Sequence, residues 1–216
     1  MITHHLSDRL LMAYSAGNLP EAFNLVIASH IALCDECRAR LASFDAIGGA
    51  MLEQMPETGQ ALPDSALAAT LARIKTTPVA AKPAPRPAQS RVLPEPLASY
   101  VGGDIDAIRW RGIGGGVRQA ILPTSKAATA RMLFIPAGKA VPDHGHNGLE
   151  MTLVLQGAFA DATARFGRGD IEIADEDLDH QPIAEPGEDC ICLAVTDAPL
   201  KFRALLPRLA QPFLRI

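Results

Sequence analysis

The stretch GKAVPDHGHNGLEMTLVLQG, Gly138 to Gly157, decides how the second half of this chain folds. It reads Gly138, five residues, His144, one residue, His146, three residues, Glu150, six residues, Gly157. His144 and His146 flank Gly145, so on an extended segment both imidazoles project from the same face. Glu150 opens the next apolar run and can bring a carboxylate in from an adjacent turn or strand. Two imidazoles and a carboxylate suit zinc, iron, manganese or nickel.

Outward from this stretch the pattern is that of strands. IDAIRWRGI, VRQAILP, ATARMLFIP, LEMTLVLQG, AFADATARF, DIEIA, CICLAVTD and LKFRALL are short, β-branched or alternating runs separated by Gly, Pro and Asp. So many strands at short spacing predict an all-β sandwich or barrel. The full spacing, with both flanking glycines, resembles the first cupin motif. That resemblance implies a cupin-like barrel and a further histidine ligand from a later strand, for which His180 in DLDHQPIAEPG is the candidate. The segment departs from the common second cupin motif, lacking the Pro-x-Gly before the histidine and the later asparagine. A solvent-exposed loop histidine is the competing reading. Cys190 and Cys192, two apart on one strand face, read as small core residues or as oxidation-sensitive thiols near the metal. A disulfide between them is at the limit of bridging geometry.

Before residue 97 the period changes. TTPVAAKPAPRPAQSRVLPEP, Thr76 to Pro96, holds six prolines and is expected to be an extended, solvated connector. Upstream, Leu6, Leu10 and Tyr14 recur four apart, as do Phe23, Ile27 and Ile31 after Pro20. Further helices are predicted from about Asp35 to Gln54 and from about Asp64 to Lys75, the last capped by Asp64 or Ser65. Helices this small and alanine-rich bury little surface, so a metal, a partner or both should complete them.

The helical half carries HIALCDEC, in which His30 precedes Cys34 by about one helical turn and Cys37 follows three later. A helix starting at Asp35 would place both thiols near its N-terminus, where partial positive charge favours the zinc-binding thiolate. A closed tetrahedral site needs a fourth ligand, and His4 and His5 are the other histidines in this half. His5 is the favoured one and His4 the alternative. A thioredoxin-like redox pair needs a strand–helix setting that this segment lacks. A pair of buried structural cysteines leaves the phased histidine unexplained.

The His-x3-Cys-x2-Cys run, with a histidine about 25 residues upstream and a four-helix pattern, resembles the zinc-binding anti-sigma domain family over about residues 1 to 80. Joined to a cupin-like half, the whole chain is similar to the ChrR-type zinc anti-sigma factors. The resemblance implies an α + β chain of two domains. Residues 1–76 would be a small four-helix zinc-binding domain with ligands His5, His30, Cys34 and Cys37. Residues 77–96 would be a Pro-rich linker, and residues 97–216 an antiparallel β cupin-like barrel with metal ligands His144, His146, Glu150 and His180. The implied cofactors are Zn2+ in the first site and Zn2+ or another divalent transition metal in the second. The implied partner is an extracytoplasmic-function sigma factor, held by the helical half and released when the cupin half responds to singlet oxygen or related oxidative stress. Leu10, Leu11, Tyr14, Phe23 and Ile27 are candidates for an apolar surface shared between core and partner. The competing function is a metal-dependent cupin enzyme, a dioxygenase or isomerase, with an accessory helical domain. A zinc-stapled oligomerisation unit is a third.

Composition agrees with a regulator that does not touch nucleic acid. The net charge of the 216 residues is −4, and a nucleic-acid footprint would be basic. Acidic groups crowd between Asp161 and Asp189, while Lys201 to Ile216 carries only basic ones. The N-terminus MITHHLSDRL has neither the basic start nor the apolar core of a secretory peptide, and no apolar run is long enough to span a bilayer. The expectation is a cytoplasmic protein in which four cysteines serve as metal ligands or redox sensors.

Overall fold

The structure is a computed structural model that describes residues 1–55, 59, 62–77, 91–202 and 211. Helix α1 (Asp8–Ser15) begins behind Ser7, whose hydroxyl accepts the Leu10 amide and satisfies one orphan donor of the first turn. Helix α2 (Glu21–Leu33) follows Pro20, and α3 (Asp35–Glu53) restarts after a single extended residue, Cys34. Helix α4 (Ala66–Thr76) completes the predicted set. A fifth helix, α5 (Glu95–Val101), starts behind Pro94 within the Pro-rich stretch. Residues 78–90 of that stretch lie outside the described residues. The rest differs from the solvated connector expected: Leu93 is buried and Val92 packs against the core, because α5 lies along α2.

The strands follow as β1 (Arg111–Gly114), β2 (Val117–Ile121), β3 (Thr129–Ile135), β4 (His144–Gly145), β5 (Glu150–Gln156), β6 (Ala158–Ala160), β7 (Arg165–Gly167), β8 (Ile171–Ala174), β9 (Asp179–His180), β10 (Ile183–Ala184), β11 (Cys190–Thr196) and β12 (Lys201–Phe202). IDAIRWRGI is only half strand, since Ile105–Ala107 form a 3-10 turn. AFADATARF is two strands, because the Asp161 carboxylate accepts the Thr163 and Ala164 amides and turns the chain. Residues 203–206 of LKFRALL lie outside the described residues. The ladders are antiparallel and form one six-stranded sheet, β1-β2-β3-β11-β5-β8, and two three-stranded sheets, β10-β6-β7 and β12-β4-β9. Among the described residues they do not run on into one closed barrel as expected.

Both faces of the large sheet are covered. From β5 and β11, Met151, Leu153, Leu155, Ile191, Leu193 and Val195 join α1, α2 and α5 in one core. The alternate residues Val154, Cys190 and Cys192 face the other way, with Phe159 and Phe166. Two-sided burial explains why CICLAVT reads as an unbroken apolar run. Helix α2 is buried on nearly every side, including Leu25, Val26 and Ser29, which lie off the Phe23–Ile27–Ile31 row. The helical and β halves therefore share a core.

Leu97 on α5 is fully buried at this junction. Leu97→Ala should cost about 2–5 kcal/mol. In urea it should shift one cooperative transition, seen alike by helical circular dichroism and by the fluorescence of Trp110. Two separated transitions would count against a common core.

Candidate metal sites

His5, His30, Cys34 and Cys37 converge, each offering one ligand atom within 4.8 Å of all the others. Cys34 both ends α2 and begins α3, and its Sγ lies 3.4 Å from the Cys37 amide, in the N-cap position. This corner places His30, Cys34 and Cys37 on one side of the α2–α3 junction. The His30 Nδ1–H donates to the Gly169 carbonyl at 2.9 Å, which fixes the tautomer and turns a bare Nε2 toward Cys37 Sγ, 3.2 Å away. His5 Nδ1 stands 3.3 Å from Cys34 Sγ and 3.7 Å from Cys37 Sγ. Tetrahedral zinc with ordinary Zn–N and Zn–S bonds would space such N and S donors by about 3.6 Å. The observed edges straddle that value, so the donors fit zinc in number, chemistry and spacing. Burial holds the His30 imidazole down to about 4, hence neutral, and pushes the Cys37 thiol up to about 11. A dication would offset the second effect by drawing out the thiolate. His4, the alternative ligand, lies elsewhere: its ring packs on Phe166 and its amide donates to Asp170.

The second cluster lies on the other face of the sheet. Strands β4 and β9 pair His144 directly with His180, His146 follows in the next loop, and Glu150 starts β5. Their ligand atoms also lie within 4.8 Å of one another. Gly157 closes the motif for a steric reason: its φ is 66° and a Cβ would meet the Asp189 carbonyl at 2.7 Å. His144 Nδ1–H donates to the Pro142 carbonyl, and His180 Nδ1–H donates to Glu172 at 3.0 Å and Asp161 at 3.1 Å. Both therefore turn a bare Nε2 inward. His146 Nε2 faces His180 Nε2 at 3.3 Å, while its buried Nδ1 has no hydrogen-bond partner among the described residues and lies 3.8 Å from a Glu150 oxygen. With His180 neutral and Glu150 ionised, whichever His146 nitrogen carries the proton, one lone pair is left facing another acceptor. A cation at the centre resolves that conflict, so the group fits. Burial pulls His144 down, pulls His146 down to about 4, and pushes Glu150 up. For His180 burial acts downward too, but the Glu172 and Asp161 carboxylates outweigh it and hold the imidazole up. His144 and Glu150 also line a cavity of about 550 Å³ walled by Val117, Leu133, Phe159 and Cys192.

Sequence reasoning overlooked the groups behind these ligands: Gly169, Asp161 and Glu172. The one signal was Glu172 itself, a charged residue inside the short apolar run IEIA, where it is buried. Cys190 and Cys192 are free, with their sulfurs 3.4 Å apart on the cavity side. Of the apolar candidates for a partner surface, Leu11, Phe23 and Ile27 are core and Leu10 and Tyr14 pack against it. Exposed apolar side chains are concentrated on late α3 and α4, among them Met51, Leu52, Leu67, Leu71 and Ile74, with Met12 on α1 and Ile121, Ile173 and Ile183 on strands.

Residues 99–199 match the family model described as the ChrR Cupin-like domain. Over 215 residues the chain is 58% identical to the anti-sigma-E factor ChrR of Cereibacter sphaeroides, covering 100% of this chain and 99% of that one. It is also similar to a chain in the crystal structure of Rhodobacter sphaeroides SigE in complex with the anti-sigma ChrR. That match has a TM-score of 0.80 and 55% identity, covering 91% of this chain and 100% of the other.

Metal analysis of purified variants should separate the histidines. His5→Ala and His30→Ala should each lose one zinc per chain, His144→Ala should lose the other metal, and His4→Ala should lose none. A zinc loss in His4→Ala matching that of His5→Ala would reassign the ligand. Acid should act in a defined window as well. His30 stays neutral in the fold down to about 4, whereas it takes a proton from 6.5 when unfolded. Stability is thus present above pH 6.5 and is lost as pH falls toward 4. A chain whose unfolding midpoint is flat across that window would contradict the buried neutral imidazole.

Proposed function

The chain belongs to the ChrR family of anti-sigma factors, and from that membership we propose that it binds and inhibits an extracytoplasmic-function sigma factor. The observation that carries this is 58% identity to the anti-sigma-E factor ChrR along the full length of the chain. The protein is a regulator, not an enzyme. In this reading residues 1–76, with α1 to α4, hold the sigma factor. Residues 77–96 connect them to residues 97–216, a cupin-like domain that senses stress. The chain works in the cytoplasm without contacting nucleic acid or membrane, and no described helix is long and apolar enough to cross a bilayer.

Helix α4 has no buried residue, yet Leu67, Leu71 and Ile74 form a stripe along it. An apolar stripe of this kind, uncovered among the described residues, supports a protein surface as its natural cover. Zinc held by His5, His30, Cys34 and Cys37 would supply folding free energy that locks the α2–α3 corner. His144, His146, Glu150 and His180 would hold a divalent transition metal in the sensing half. Release of the sigma factor would follow singlet oxygen or related oxidative stress acting on that half. Truncation at residue 97 is a poor test of this division, because it bares the face of α2 that β11 covers. Substitutions in the full chain separate the two roles cleanly.

The test is co-elution of the full chain with the sigma factor encoded beside its gene. A one-to-one complex is expected, lost with a zinc chelator and weakened roughly tenfold or more by Cys37→Ser. Leu71→Asp with Ile74→Asp should weaken it while leaving the urea midpoint unchanged, because both side chains are exposed. With zinc in excess, His144→Ala and Glu150→Ala should bind normally and change release under singlet oxygen. Absence of any complex with the zinc-loaded chain would overturn the reading.

A further inference from the structure

The turn between β7 and β8, Arg168 to Asp170, touches both metal clusters' supports. On the helical side, the Gly169 carbonyl accepts the His30 Nδ1–H at 2.9 Å inside the core. Asp170 Oδ1 accepts the Thr3 amide at 2.6 Å and the His4 amide at 2.9 Å, immediately before His5 in the chain. The His4 carbonyl is in turn bonded by the Ile171 amide. The N-terminal segment presses directly on the turn: at Gly169, with φ of 90°, a Cβ would stand 2.6 Å from Ile2 Cδ1. Only glycine allows this approach without strain.

On the other side the same turn continues into β8, where Glu172 accepts the His180 Nδ1–H at 3.0 Å. It is also clamped to β5, since Gly169 N donates to the Val154 carbonyl at 2.8 Å and Val154 N to the Asp170 carbonyl at 3.1 Å. Strand β5 begins with Glu150. Two short, hydrogen-bonded routes therefore lead from the cupin-side ligands His180 and Glu150 to one turn. From that turn two more lead to the zinc-side ligands His30 and His5. Asp170 and His30 are both buried, so water does not substitute readily for either partner.

We infer that Gly169 and Asp170 are positioning residues that couple the two clusters, so that the state of the His144–His146–Glu150–His180 site sets the metal affinity of the His5–His30–Cys34–Cys37 site. Binding free energies couple reciprocally, so each metal tightens the other by the same factor. A change at the sensing cluster then loosens the zinc corner by moving the turn that aims its two histidines. The inference rests on the proposed function only for the presence of metal at both clusters, and it requires nothing of the sigma factor.

Cobalt(II) titration of the zinc-free full chain tests it, because a thiolate-to-cobalt charge-transfer band marks the Cys34–Cys37 cluster and the other cluster's four ligands include no thiolate. In the parent chain, His144→Ala should weaken cobalt binding at the thiolate site by about tenfold, within the usual range of coupling. Asp170→Ala alone should weaken it about 10–100-fold, as loss of a ligand's support does. In the Asp170→Ala background the further effect of His144→Ala should fall below about twofold, since the link is already cut. Asp170→Asn, which keeps an acceptor for the Thr3 and His4 amides, should restore part of the coupling, and it replaces Asp170→Ala in the cycle if the alanine variant does not fold. An equal effect of His144→Ala in both backgrounds would overturn the inference, as would no effect in the parent. Because the sigma factor is not in the assay, either result leaves the anti-sigma reading to its own test.

Discussion

The burial of α2 is the constraint on which the rest of this structure depends. A helix that is apolar on nearly all sides cannot rest on one neighbour. It lies between α1, α3 and α5 on one side and β3, β5 and β11 on the other. That position commits the helical and β halves to one core, and it carries His30 to a point where a loop of the β half supplies its hydrogen-bond acceptor. The candidate zinc corner is thus drawn from the helical half but aimed in part by the β half.

The large sheet extends the same logic. Its strands alternate, sending Met151, Leu153 and Leu155 to the helices and Glu150, Thr152 and Val154 to the opposite side. One layer of backbone then separates the apolar core under α2 from the polar cluster around His144 and His180. Hydrogen-bonded strands in register are stiff across their width, so a displacement on one face is not readily absorbed before it reaches the other. A change at the polar cluster therefore needs no long mobile arm to reach the helical half.

Local signals were legible and long-range ones were not. HIALCDEC and the spacing from Gly138 to Gly157 point to both ligand sets because metal chemistry restricts residue type and spacing at once. The sequence favoured His5 over His4 without a geometric reason, since adjacent residues differ only in which way the chain turns. The Asp170 carboxylate grips the backbone amides of Thr3 and His4, and the chain then turns His5 toward His30, Cys34 and Cys37. Proline density predicted solvation for Thr76 to Pro96, but at its end Leu93, with Leu97 just beyond, outweighs it by offering apolar area to α2. The four-residue recurrence of Phe23, Ile27 and Ile31 marks the helix and one apolar row on it. Leu25 and Val26, also apolar, carried the message that a second layer covers it.

The distribution of exposed apolar surface gives the arrangement its sense. Helices α1 and α2 are tied down by the shared core, whereas α4 contributes nothing buried to it. A short helix with little packing is marginal on its own, and its stability must come from the surface it lies against. The part of the chain best suited to a partner is therefore the part least stabilised by its own fold, while the metal corner at the root of α3 fixes where α3 begins. Loosening that corner would leave α2 packed on the sheet and α1 packed on α3, while removing a constraint on the angle between α2 and α3. On the proposed reading, release of a partner would require a local change, well short of unfolding the protein, with the free energy of one coordination site at stake.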